Sequence, residues 1–182
     1  MVRVAMAFAV ALLCSATQVA WAAEQERNKM ATDQQFVDEA AKGGLAEVKL
    51  GELASERATD PEVRRFGQRM VEDHGAANKE LTSILKNMAS ITPPSKELVG
   101  KHRDTYDDLS KRQGGDFDKT YISNMVADHE KDAKLFESMA DNGQDPQLKA
   151  FAAKTLPVIK EHLKMARDIA NKIGAPVSSS DR

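Results

Sequence analysis

The sequence predicts an all-α fold: a four-helix bundle of two antiparallel helical hairpins, joined by a long crossover that contains a short helix. Three observations predict it. Apolar residues recur at three- and four-residue spacing through four long stretches. Two of these stretches open on Asp60–Pro61 and Asp145–Pro146, an N-cap followed by proline at the first helical position. The joins after the first and third stretches are short, whereas residues 89–115 separate the two pairs, enough chain to travel back along a bundle.

Residues 1–22 read as a secretory signal peptide and not as part of the fold. Arg3 supplies a positive start, Ala5 to Cys14 form a short apolar run, and Ala20–Trp21–Ala22 is a small-x-small site with cleavage expected after Ala22. The run is too short and wrongly flanked for a membrane span, so the mature chain is expected to have none. Cys14 does not read as a lipidation site, because Leu13 stands where a small residue is needed. Export would place the protein in the periplasm or at the outer envelope. Cleavage removes the only Cys and the only Trp and leaves about 160 residues, the size of one domain with a single core. Such a domain holds itself without disulfides, and a metal in it would have no thiolate ligands. Charges of both signs are interspersed around a net charge of −2, with no basic patch, which argues against a nucleic-acid partner.

Residues 23–32 are polar and expected to be a disordered tether, with the bundle occupying 33–174 and a loose, Ser-rich tail at 175–182. Helix one is expected from Asp33 to Arg57, with Phe36, Val37, Ala40, Ala41, Gly44, Val48 and Ala54 on its apolar arc and Glu47 inside that arc. Gly43, Gly44 and Gly51 weaken this helix, so a neighbour must gain from the close approach they allow. Helix two runs from Pro61 to about Met88, its seam of Val63, Phe66, Met70, Ala77, Leu81 and Ile84 interrupted by His74. Within the crossover, Leu98, His102, Tyr106 and Leu109 repeat at helical spacing. Helix three starts near Asp116 and stops at Asn142–Gly143. Ile122, Met125, Phe136 and Ala140 share its apolar arc with His129, and with Asp128 and Asp132. Helix four follows to Ile173, before Gly174 and Pro176, with His162 in step with Leu148, Ala152, Ile159, Ala166 and Ile169. Pro157 falls on its wet side. This one-crossover arrangement is that of ferritin-like bundles.

Glu47, His74, His129 and His162 each lie near the midpoint of their own helix, so in a bundle of equal-length helices they meet in one layer, with Asp132 one turn beyond His129. Imidazoles and carboxylates at one level are a ligand set for zinc, iron, manganese or copper. The candidate metal ligands are therefore Glu47, His74, His129, Asp132 and His162, with Asp73, Asp128 and Glu161 standing behind them. The alternative is a buried histidine–carboxylate network that only fixes packing. The methionines at 70, 88, 125, 139 and 165 read as gap-filling core.

Met70–Val71–Glu72–Asp73–His74 is echoed by Met125–Val126–Ala127–Asp128–His129. Together with Asp116–Phe117–Asp118, Tyr121, and Leu156–Pro157 followed by His162, these motifs make residues 33–173 resemble the exported bacterial family of domain of unknown function 4142. That resemblance implies a ferritin-like bundle outside the cytoplasm and carries no settled activity. The chain departs from di-iron ferritin-like proteins, which pair each liganding His with a Glu three residues before it. Val71 and Ile159 stand there instead, so an oxygen-activating di-iron centre is not expected.

Two functions follow from the residues. One is an exported metal-binding bundle; the other is a non-enzymatic envelope stress or interaction protein whose polar layer is structural. An enzyme using His129 and Asp132 as a base is the weakest reading, since no nucleophile, oxyanion donor or phosphate-cradling loop accompanies them. A homo-oligomer through the exposed face of helix one is compatible with the sequence but not required by it.

Overall fold

A computed structural model describes the backbone of residues 6–177 and the side chains of residues 32–177. The first five residues of the expected signal peptide and residues 178–182 of the expected tail lie outside the described residues. Five helices follow in order: α1 (Met6–Arg57), α2 (Pro61–Leu85), α3 (Gly100–Leu109), α4 (Gly114–Asn142) and α5 (Pro146–Ile173). No strand occurs among the described residues. α1 packs on α2 and α4 on α5, and the hairpins close through α1 against α4 and α2 against α5. The ring order is therefore α1–α2–α5–α4, with α3 laid over the α1/α4 seam.

The predicted caps form as expected. The Asp60 carboxylate accepts from the backbone N–H groups of Glu62 and Val63, and Asp145 does the same for Gln147 and Leu148. α5 ends on Gly174 at φ 66°, the left-handed C-cap that glycine adopts without penalty.

The crossover is tied down at both ends. Gln34, near the start of the bundle part of α1, donates to the Thr92 carbonyl and accepts from its N–H. Arg57, at the other end of α1, donates to the carbonyls of Ser110 and Arg112. The chain between Thr92 and Ser110 thus runs the length of the bundle, which makes α4 parallel to α2 and antiparallel to α1. Asp118 in the first turns of α4 locks that arrangement, accepting from the Thr59 N–H and hydroxyl and the Asp60 N–H.

Two boundaries and one apolar arc need correction. The backbone of 23–32, expected as a disordered tether, continues α1. Ala, Glu, Gln, Arg, Lys and Met dominate it, with no Gly or Pro to stop a helix. α2 ends at Leu85, short of Met88, where the chain turns into the crossover. On α1 the deeply buried residues include Ala46, Leu50 and Leu53, while Val48 is only half-buried. The glycines explain the rotation of that arc. A Cβ on Gly51 would stand 2.7 Å from the Gly67 carbonyl oxygen, and one on Gly67 would stand 2.8 Å from the Ala54 Cβ. α1 and α2 therefore meet backbone to backbone, and the larger apolar side chains flank that contact.

The hydrophobic core is not continuous. One cluster, around Leu50, Phe66, Met70, Phe117, Tyr121 and Met125, fills the end of the bundle where α3 finishes. The other, built on Phe36, Phe136 and Phe151 with ring centroids 5.1–6.4 Å apart, fills the opposite end with Leu81, Leu148 and Ile159. Between the two lies a polar layer.

Candidate metal centre

Three of the four long helices each deliver one imidazole to this layer: His74 from α2, His129 from α4 and His162 from α5. Each shares its seam with apolar residues a turn away on either side, Met70 and Ala77 for His74, Met125 and Ala133 for His129, Ile159 and Ala166 for His162, so the backbone places the ring inward whatever its polarity. The ring centroids are 5.3–5.5 Å apart, and one nitrogen from each ring lies within 4.8 Å of the others. All three residues are buried. Phe66 stands against His129 and His162 with centroids at 6.4 Å, closing the layer toward the neighbouring core cluster.

The outer partners fix the tautomers. His129 Nδ1 is 2.9 Å from the Met125 carbonyl, which can only accept, so Nδ1 carries the proton and Nε2 a bare lone pair. His162 Nε2 is 2.8 Å from the Asp73 carboxylate, so there Nε2 carries the proton and Nδ1 is bare. Asp73 is itself held by Arg69 at 3.1 Å, and Arg69 reaches Glu161 at the same distance. The inward nitrogens, His129 Nε2 and His162 Nδ1, have no hydrogen-bond partner, and neither does His74 Nε2.

Electrostatics keep the rings neutral. Burial, with His162 nearby, lowers His74 to about 3. Burial and then the two other histidines hold His129 well below the usual imidazole range, and burial lowers His162 against the pull of Asp73. Neutral imidazoles are the form that binds a metal.

The predicted site residues therefore divide. His74, His129 and His162 come together, and Asp73 stands behind His162 as expected. Glu47 is in the layer but on the outer side of His129, with Oε1 3.7 Å from Nδ1. Its carboxyl is buried, its Oε2 has no partner, and burial followed by Asp132 and Asp128 pushes it well above the usual carboxylate range. Asp128 and Asp132 do not join the histidines; with Glu47 they line a cavity of about 300 Å³ between α1, α3 and α4. Glu161 is exposed and paired with Arg69. Sequence reasoning gave no site role to the Tyr121 hydroxyl, which is fully buried without a partner, its phenol pushed up by burial and by Glu47. Its signal was present, since Tyr121 is one turn before Met125 on the same arc, but a tyrosine on a core face reads as packing.

Comparison with known proteins adds the lineage. A family described as a domain of unknown function (DUF4142) matches residues 17–169. No curated protein matches the chain. A DUF305 protein from Streptomyces coelicolor, described as a presumed secreted protein, superposes with a TM-score of 0.68 at 13% identity, covering 81% of this chain and 96% of that one. A DUF305 fragment from Deinococcus radiodurans gives 0.65 at 14% identity, over 79% and 95%. At such identities the likeness shows the fold alone.

Proposed function

The chain belongs to the DUF4142 family, and from that premise we propose that it is an exported metal-binding bundle, holding one divalent transition-metal ion between His74, His129 and His162. The observation that carries this reading is that each histidine of the cluster has a buried ring nitrogen without a partner, while one ligand atom from each lies within 4.8 Å of the others. A layer built only for packing would pair them, because each unpaired buried donor or acceptor costs about 1–3 kcal/mol. Here the outward nitrogens of His129 and His162 are both satisfied, one by a backbone carbonyl and one by a carboxylate, which is how liganding histidines are held. Three imidazoles favour zinc, copper or iron over manganese, which prefers oxygen. Location outside the cytoplasm is supported by the Arg3, apolar-run and Ala20–Trp21–Ala22 pattern, and by the description of the Streptomyces neighbour as a presumed secreted protein.

The test is dialysis of metal-free protein against zinc, copper, iron and manganese in turn, followed by elemental analysis. One equivalent of at least one of the first three metals is expected per chain, and His129→Ala is expected to abolish that uptake. Asp73→Asn, which keeps the ring in place but weakens its support, should reduce affinity by about 10- to 100-fold. Substoichiometric uptake of every metal, or uptake unchanged by His129→Ala, would falsify the reading.

A further inference from the structure

At the end of the bundle where the crossover begins, a groove of about 400 Å³ runs between α1, α2 and residues 93–96. Ala41 and Leu45 of α1, Leu81 and Leu85 of α2 and Pro93–Pro94 of the crossover form its walls. The lining is aliphatic, without an aromatic ring on which a planar ligand could stack. Leu45, Leu85 and Pro94 are only half-buried there, so apolar surface is left to cover. The roof is held in place before any ligand arrives. Gln34 grips the Thr92 peptide twice, donating to its carbonyl at 3.1 Å and accepting from its N–H at 2.7 Å. The two prolines that follow have fixed φ angles, so the groove is pre-shaped and costs little to order.

The charged groups at its mouth have one sign. Lys86 and Lys96 line the groove, and Lys79 joins Lys86 and Asn78 on a hollow that adjoins it. Among the described residues no aspartate or glutamate lines either one, although acidic residues outnumber basic ones by 28 to 26 in the chain. Four lysines elsewhere are paired across helices: Lys131 with Glu39, Lys154 with Glu80, Lys160 with Glu137 and Lys172 with Glu62. Among the described residues none pairs with Lys79, Lys86 or Lys96, and Glu80, next to Lys79, is taken by Lys154 at 2.8 Å. The Asn78 side chain, which lines the groove, makes no hydrogen bond either. Its position is fixed, since a Cβ on Gly44 would collide with the Asn78 Oδ1 and the glycine lets the amide settle against α1.

We propose that this groove binds a single-chain aliphatic carboxylate, a fatty acid of medium length, its alkyl chain against Leu45, Leu81 and Leu85 and its head at Lys86, Lys96 and the Asn78 amide. An apolar trough with a cationic mouth matches that amphiphile. A small inorganic anion would leave the trough empty, and an uncharged hydrocarbon would leave the lysines unused. A second copy docked face to face would set the same lysines against one another. The volume lies near the lower end of the roughly 300–1,000 Å³ typical of small-molecule sites, which suits one alkyl chain. The groove shares no residue with the histidine layer and stands or falls without it.

The test is titration of the full mature chain with decanoate below its micelle-forming concentration, with chelator present, followed by calorimetry and backbone NMR. One equivalent should bind, with the largest shifts at Leu45, Leu81, Leu85 and Lys96. Octanoate, shorter by two methylenes, should bind about tenfold more weakly. Joint replacement Lys86→Gln and Lys96→Gln should weaken decanoate about fivefold, the scale of two exposed ion pairs. Both lysines are exposed, so this variant keeps the fold, which circular dichroism checks. Decyltrimethylammonium, with the same chain length and the opposite charge, should not bind at concentrations where decanoate saturates.

Absence of decanoate binding overturns the proposal, as do shifts spread evenly over the surface. Equal binding of the decyl cation, or decanoate affinity unchanged in the double variant, overturns it too, since either makes the groove an apolar contact without charge selection. Binding to phosphatidylglycerol vesicles without uptake of monomeric decanoate would also overturn it and make this face a membrane contact.

Discussion

Asp132→Asn should make the metal-free protein lose less stability as the pH rises from 4 to 7, by an amount that can be worked from the position of the side chain. Burial, and next the neighbouring Asp128, raises the Asp132 carboxyl from 3.8 to about 7. The folded chain therefore keeps a proton that the unfolded chain releases near pH 3.8. Below that pH both states are protonated and the aspartic acid costs nothing. Between 3.8 and about 7 the unfolded state is favoured by about 1.4 kcal/mol per pH unit. Above 7 both states are ionised and the penalty levels off. The full window corresponds to roughly 4 kcal/mol, and solvent reaching Asp132 through the cavity lowers this toward about 2 kcal/mol. Asparagine has no proton to release. The difference in unfolding free energy, variant minus wild type, should thus rise by roughly 2–4 kcal/mol from pH 4 to pH 7.5 and then stay flat. Urea unfolding followed by circular dichroism, in the presence of a chelator, measures it at each pH. The histidines, whose lowered values act in the opposite sense below pH 6.5, titrate in both proteins and cancel in the difference. A difference that is flat from pH 4 to 7.5, or that falls, would show that Asp132 is ionised in the folded state and that the cavity is wetter than its lining implies.

Other substitutions probe the frame. Gly51→Ala gains helix propensity worth about 1 kcal/mol, yet its Cβ would press on the Gly67 carbonyl at 2.7 Å, so a net loss of about 1–3 kcal/mol is expected in thermal unfolding. A stabilised Gly51→Ala protein would show that α1 and α2 can separate at no cost. Asp118→Ala removes the acceptor for two N–H groups and a hydroxyl at the α1–α2 turn and should cost about 2–3 kcal/mol, with metal uptake preserved because the histidines lie elsewhere. Intact-mass measurement of protein secreted by a bacterial host should find a chain beginning at Ala23; a chain that retains Met1 and stays in the cytoplasm would contradict the export signal.

Much of the frame is legible in the sequence because the elements announce themselves locally. Asp60–Pro61, Asp145–Pro146 and Gly174 mark helix ends by backbone chemistry that needs no tertiary partner, and the structure uses all three as caps. The seams of α2 and α5 are equally plain, since Val63, Phe66, Met70 and Leu81, or Leu148, Ala152, Ile159 and Ala166, are apolar on one face only. α1 is harder to read. Its inner face carries glycines, which have no hydropathy to count, so the sequence marks Gly51 as a place of close approach without saying that α2 is the neighbour. The extension of α1 back through residues 23–32 was obscured for a related reason, because a polar segment with strong helix formers resembles a loop by hydropathy and a helix by propensity.

The site shows the same division between what a helix fixes alone and what its neighbours decide. That His74, His129 and His162 share a level follows from counting residues to each helix midpoint, and the rings do converge. The same count puts Glu47 and Asp132 nearby, but height along the bundle does not say which side of a ring a carboxylate meets. The backbone decides that here: the Met125 carbonyl already takes His129 Nδ1, so Glu47, arriving from α1 on that side, cannot reach the inward nitrogen of the ring. Asp128 and Asp132, one residue before and three after His129, are rotated about 100° and 300° from it around α4 and so point toward α3 instead of the bundle axis. One helix therefore feeds two adjoining polar spaces, a nitrogen-lined layer and an oxygen-lined cavity.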